Sequence, residues 1–187
     1  MAKITKPGIT ALAPLPVILV STVSEAGQPN LVTLAWCGVV CSEPPMVGIS
    51  IRPSRYSWEL LQSIPDFVVN LPGEDLARAV DLCGVISGRD RDKFQAARLT
   101  PEPASKVRPP LVKECPVNLE CQVRSVHELG SHHLFLGEVV AVHYDEAVLS
   151  DSGALDPAKA KLYSYCLGEY RRVGDRLGSL GFSKERA

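Results

Sequence analysis

The chain has 187 residues, 45% hydrophobic and 22% charged, which suits one globular domain over 1–187 with a core of its own. Twenty basic residues against 21 acidic ones give a net charge of −1. That balance argues against nucleic acid or a membrane surface as a general partner, so any basic site must be local.

The N-terminal stretch "ITALAPLPVILVSTV" faintly resembles a secretion signal. Pro14 and Pro16 interrupt it, and what remains is too short to span a bilayer. Val17 to Val23 is therefore predicted as a strand and the protein as cytoplasmic. "EAGQPN" is a turn, and "LVTLAWCGVV" is predicted as one continuous second strand, 31–40. After "SEPP" comes a third strand, "MVGISI", and after the helix at Ser57 to Ser63 a fourth, "DFVVNLP".

The join between strand three and that helix, "SIRPSRYSWELL", collects Arg52, Ser54, Arg55, Tyr56 and Ser57. One reading is a solvated loop with Ser57 as N-cap. The other is an anion site, in which the free N–H groups of a helix start and two guanidiniums grip a phosphate. Beyond Pro72 a helix is predicted, with Leu76, Val80 and Cys83 on one face and Gly84 as its stop.

"SGRDRDKFQAARL" predicts a second short helix, with Asp90 and Asp92 suited to its N-terminus and Lys93 set against its dipole. "TPEPASKVRPPL" is too proline-rich for regular structure. Two long strands follow, 115–129 and 132–148, joined at Gly130-Ser131. At the start of the second, His132 and His133 must face opposite sides. "DPAKAKLYSYCL" is predicted as a short helix or ordered loop. The Gly-rich, basic tail, 168–187, is predicted to drape over a surface. The six cysteines form no Cys-x-x-Cys pair and no zinc or iron–sulfur frame, and no metal site is predicted. No Walker loop, nucleophile elbow or zincin motif is present either.

Six strands with few short helices predict a mainly β protein, a closed or partly closed barrel with helical insertions. Five segments in order then carry a resemblance: "NLVTLAWCGVVCSEPPMVGISIRPSRYSWELL", "FVVNLP", "CGVISGRDRDKF", "HHLFLGEVVAV" and "GEYRRVGDRLGSLGFS". Together they resemble the flavin reductase-like, FMN-binding split-barrel family, on the branch of flavoredoxin.

The resemblance implies a six-stranded Greek-key split β-barrel that forms a homodimer; the long, basic, Gly-rich tail is expected to cross onto the partner. It implies FMN as cofactor and NAD(P)H as electron donor, with a flavin, ferric or protein acceptor. Residue by residue, it implies that Asn30, Thr33 and Trp36, with the backbone of Ala35 and Cys37, flank the flavin ring. Ser50, Ile51, Arg52, Ser54, Arg55, Tyr56 and Ser57 are implied to hold the ribityl chain and phosphate. Ser87, Gly88 and Lys93 form a second flavin-facing loop. Tyr165 is an aromatic near the ring, and His132 is the catalytic histidine beside it, with Lys93 close to the same ring. Three activities fit the resemblance: an NAD(P)H-dependent flavin or ferric reductase, a flavoredoxin-like electron carrier with tightly held FMN, and a non-redox flavin- or haem-binding module.

Overall fold

The structure, a computed structural model, describes residues 1–184. Its strands are β1 (Leu15–Pro16), β2 (Ile18–Val23), β3 (Pro29–Leu34), β4 (Cys37–Ser42), β5 (Pro45–Ile51), β6 (Asp66–Leu71), β7 (Pro101–Glu102), β8 (Leu111–Val112), β9 (Val117–Glu128), β10 (His133–Tyr144), β11 (Tyr163–Cys166) and β12 (Glu169–Arg172). The helices are α1 (Tyr56–Ser63), α2 (Ala77–Val85) and α3 (Lys93–Ala97).

Seven of the strands form one antiparallel sheet in the order β3-β2-β6-β9-β10-β5-β4. β3 and β4 lie on opposite edges, yet only Ala35 and Trp36 connect them. A two-residue link cannot cross an open sheet, so the sheet must curl until its edges meet. The single strand predicted over 31–40 is thus two strands with different partners. At the break the Ser50 N–H donates to the Trp36 carbonyl (2.9 Å), tying the link to the end of β5.

One core fills the barrel: Val20, Ile49, Phe67 and Phe135, with Ile18, Ile51 and Leu61 around them. A second lies outside, where Leu19, Leu31 and Val112 meet Val80 and Cys83 of α2 and Phe94 of α3. β2 therefore buries both faces, which explains its unbroken apolar sequence. Burying a Phe or Leu side chain contributes about 1.5–3 kcal/mol. The β9–β10 ladder shifts register at Gly137, where an added Cβ would lie 2.5 Å from the Phe67 ring. Glycine lets that buried ring lie against the bulged strand.

Three expectations differ. A 3-10 turn, 74–76, leads into α2, and Gly84 lies inside that helix rather than ending it; its bare Cα faces Thr33, whose side chain a Cβ would meet at 3.3 Å. The stretch 156–167 contains no helix: β11 and β12 form a hairpin whose turn, Leu167-Gly168, has positive φ at both residues, and β1 pairs with β11. Of the predicted tail, Glu169–Arg172 form β12 and 173–184 are exposed; 185–187 lie outside the described residues.

The proline-rich segment is a strap across the sheet. Glu120, fully buried in β9, accepts from the backbone N–H groups of Ser105, Lys106 and Val107, from the Ser105 hydroxyl and from His143. Asn70 accepts from the Val112 N–H and the Asn118 amide, and Ser21 donates to the Pro110 carbonyl. Among the described residues no helix is long and apolar enough to cross a membrane.

Candidate functional site

The barrel closure creates the site. The bend at Ala35-Trp36 turns the end of β3 outward, and the end of β5, the 52–55 loop and α2 gather around it. The resulting cleft of ≈ 310 Å³ has Val32, Thr33, Ala35 and Trp36 on one wall, with Ser50, Arg52 and Arg55 beside them. Asp81, Gly84 and Val85 of α2 line it, and His132, Tyr165 and Tyr170 close its far end.

The aromatic groups are ordered against one another. His132 stacks on Trp36, with centroids 6.2 Å apart and planes 8° from parallel, and Tyr165 tilts against the same indole at 6.2 Å. Tyr170 packs edge-on to Tyr165 and donates to Asp81 (3.2 Å). Burial, then the nearby Arg52 charge, lower the His132 pKa, so its imidazole is neutral at pH 7. His133 faces the other way and accepts from the Trp58 indole N–H (3.1 Å), which anchors α1 to β10.

At its other end the cleft opens into a polar recess of ≈ 170 Å³. Val32, Arg55 and Gly84 line both spaces. Asn30, Ser54, Tyr56, Ser57, Ser87, Gly88, Arg89 and Lys93 line only the recess. Ser57 is not the N-cap predicted for it: Arg55 occupies that position, and the buried Ser57 hydroxyl accepts from the Asn30 amide (2.8 Å). Arg89 bonds to Glu59 and to the Ser54 carbonyl and lies over the Tyr56 ring, holding the loop against α1.

Lys93 is the chemically loaded group. It is buried, and its ammonium donates to the Cys83 carbonyl (2.6 Å). Burial lowers its pKa most; Cys83 pulls upward and Arg55 adds to the depression, leaving it at about 8. A buried ammonium with no carboxylate against it is expensive without an anion to face. Asn30 Oδ1 is likewise buried without a partner, and a Cβ on Gly88 would fall 1.9 Å from it. A bare Cα, an orphaned amide oxygen and the cations of Arg55, Arg89 and Lys93 form a cradle that fits a phosphate group with its attached hydroxylated chain.

Most of the residues that the sequence singles out line one of the two spaces, but several lie elsewhere than expected. Asn30, expected at the ring, lines the recess and not the cleft, and Ser50, expected at the ribityl chain and phosphate, lines the cleft and not the recess. Ile51 is fully buried inside the barrel and lines neither space. Cys37, expected to contribute only its backbone, packs its side chain on the barrel core and lines a separate apolar groove, and burial raises its thiol pKa to about 12. Lys93 lines the recess, not the Trp36 end. Arg52 lines the Trp36 end, not the recess. Sequence reasoning missed Val32, Asp81, Gly84, Val85, Arg89 and Tyr170. Gly84 follows the apolar face of α2 directly, a signal of close packing that was read as a stop. Tyr170 needed the β11–β12 pairing to be seen.

Residues 11–174 match the family model of the flavin reductase like domain. The chain belongs to the flavin reductase-like family. A protein of Archaeoglobus fulgidus is 36% identical over 67% of this chain and 71% of its own length. Among solved structures, flavoredoxin of Desulfovibrio vulgaris (Miyazaki F) superposes with a TM-score of 0.91 at 30% identity, covering 98% of this chain and 100% of that one. Flavoredoxin from Methanosarcina acetivorans gives 0.89 at 29% identity, with 98% of each chain covered. An FMN-binding protein from Thermus thermophilus gives 0.81 at 27%, covering 96% and 97%. The family's split barrel is thus the fold of this chain, mainly β, and its relatives include flavin-binding proteins.

Proposed function

We propose that the protein is a single flavin reductase-like domain that binds FMN along the groove and serves as an FMN-dependent oxidoreductase. In this reading it takes electrons from NAD(P)H and delivers them to a flavin, ferric or protein acceptor. The observation that carries the reading is the continuity of an aromatic cleft with a cationic recess, through Val32, Arg55 and Gly84. Such a groove suits a ligand that is a flat ring at one end and a phosphate at the other.

Arg55 and Lys93 supply charge to the phosphate, and Ser54, Ser57 and Ser87 supply hydroxyls. Gly88 lets the backbone come close. Trp36, Ala35 and Thr33 form the wall for the ring, and Val32 and Val85 exclude water from it. His132 and Tyr165 pack against Trp36 at the exposed end, where a donor would approach. FMN bound there would supply the electron-transfer chemistry, so no protein acid or base has to carry a hydride step. The exposed apolar residues Val39, Val40, Val126 and Leu129 support a homodimer, and six unpaired thiols suit a cytoplasmic location.

The test begins with the visible spectrum of the purified protein and the flavin released on heating. FMN rather than FAD is expected, and oxidation of NADH or NADPH by the FMN-loaded protein. Arg55→Ala should weaken FMN by about 1.5–3 kcal/mol and leave riboflavin, which has no phosphate, nearly unchanged. Failure to retain or bind any flavin would overturn the reading. The likeness to the two flavoredoxins favours a second reading, an electron carrier. It predicts FMN that stays bound through dilution and is reduced only when a separate reductase is added.

A further inference from the structure

Arg52 and Arg55 lie three residues apart on one loop, yet they serve different spaces. Arg55 lines both the cleft and the recess, whereas Arg52 lines only the cleft. The recess already holds two cations beside Arg55: the buried Lys93 and Arg89. At the aromatic end the balance is different. Asp81 receives the Tyr170 hydroxyl, and Arg52 is the one cation that belongs to this end alone. Among the described residues its guanidinium, like that of Arg55, has no hydrogen bond and no ion pair, whereas Arg89 is held by Glu59 and the Ser54 carbonyl. It is close enough to His132 for its charge to depress that imidazole.

We infer that Arg52 is a specificity-determining residue: it receives the oxyanion, phosphate or carboxylate, of a second, planar-ring ligand that docks at the Trp36–His132 end of the cleft. This rests on the proposed FMN reading, because it assigns the recess to the cofactor's phosphate and leaves Arg52 without a role there. The chemistry follows from the guanidinium itself. It is planar, permanently charged and forked, and it binds a carboxylate or phosphate through two parallel N–H groups. The aromatic walls beside it exclude water and offer a face to a flat ligand. A cation at the rim of a low-dielectric cleft also focuses its field outward and draws anions in. A neutral ligand of the same shape would gain the stacking but not the charge.

Two sources of that oxyanion can be separated with the FMN-loaded protein. In one arm NADP⁺ is titrated against NAD⁺, which lacks the extra phosphate; in the other, benzoate against benzamide. Binding is read from the flavin spectrum and from tryptophan fluorescence. Whichever probe binds at least about tenfold more tightly than its partner without the added phosphate or carboxylate identifies the source. In Arg52→Gln that preference should fall to about twofold, in Arg52→Lys it should survive in part, and the FMN-over-riboflavin preference should stay as in the unaltered protein. No preference in either arm, or a preference that Arg52→Gln leaves intact, overturns the inference while FMN binding stands. Loss of the FMN-over-riboflavin preference in Arg52→Gln also overturns it, because Arg52 would then belong to the cofactor's phosphate. If the unaltered protein binds no FMN at all, the functional reading fails first and takes this one with it.

Discussion

Asn30 and Gly88 meet in the recess so closely that a single added carbon on Gly88 would lie 1.9 Å from the amide oxygen of Asn30. That oxygen is buried and unpartnered, while the amide nitrogen of the same side chain is held by Ser57. β3, α1 and the loop after α2 thus converge on one small space and leave it open. Gly88→Ala should close it. The expected result is an FMN affinity at least about tenfold lower with riboflavin much less affected, since the loss falls on the phosphate contacts. Gly38→Ala, where nothing lies within 4 Å of the added carbon, is the matched control. Equal FMN binding by both variants would show that the recess is not where the phosphate sits.

Lys93 makes a pH prediction. Burial holds its pKa at about 8 in the free protein, against an ordinary 10.5. The ammonium is therefore charged below pH 8 and neutral above it. A phosphate monoester loses its second proton near a pH of about 6. FMN binding should strengthen as pH rises through 6, because the dianion forms while Lys93 is still charged. It should weaken above 8 as Lys93 loses its proton, by up to tenfold per unit until the pKa of the bound state is passed. Lys93→Met should remove the alkaline limb and leave riboflavin binding flat. Affinities measured from pH 5.5 to 9.5 check this; an alkaline limb that persists in Lys93→Met assigns it to another group.

The strap, 100–111, depends on one carboxylate. Burial would raise the Glu120 pKa, but hydrogen bonds from Ser105, His143 and Lys106 outweigh burial and bring it down to about 2. A carboxyl depressed from 4.5 in the folded state stabilises the fold fully above 4.5 and loses that contribution as pH falls toward 2. Glu120→Gln leaves several buried N–H donors short of an acceptor and should destabilise the protein by about 3 kcal/mol at pH 7. It should also flatten the acid limb between pH 4.5 and 2. Urea titrations across that range measure both effects, and proteolysis of the strap in the variant should quicken. A wild-type acid limb in Glu120→Gln would move the acid sensitivity to other carboxylates.

Much of the fold is written locally. β-branched runs mark β2, β5, β6, β9 and β10, and the hydroxyl-rich join at Ser54 to Ser57 lies at the recess. What escaped sequence reasoning depends on partners. "LVTLAWCGVV" is β-like throughout, so nothing in it signals that Leu34 pairs with Ile18 while Cys37 pairs with Ile49. Ala- and Lys-rich residues before Tyr163 favour a helix by propensity, but the alternation of Tyr163 and Tyr165 against Tyr170 and Arg172 is satisfied only as a hairpin. The division of labour between Arg52 and Arg55 also lies outside sequence: spacing of three on an irregular loop does not say which way either guanidinium points. Lys93, set against its own helix dipole, lines the recess rather than the aromatic end.

The placement of His132 separates binding from reaction. It sits at the tip of the β9–β10 hairpin, half-buried, on the face of Trp36 and far from the recess side of the groove. Its pKa is lowered by burial and then by Arg52, so near neutral pH it is an uncharged planar ring rather than an acid. His132→Ala should therefore leave the FMN-over-riboflavin preference intact, since no recess contact is touched. It should slow reduction of the FMN-loaded protein by NADH or NADPH by about tenfold, because the ring that orders the open end of the cleft is gone. His132→Phe retains a flat wall without a titrating nitrogen. It should recover most of that rate at pH 7 to 8 and lose any acid limb below pH 6.5 that the unaltered protein shows. Stopped-flow reduction at several pH values, with both variants loaded equally with FMN, distinguishes the roles. Recovery in Phe but not in Ala assigns His132 to positioning. Loss in both would mean that the imidazole itself handles a proton, and unchanged rates in both would leave it as the end of a strand.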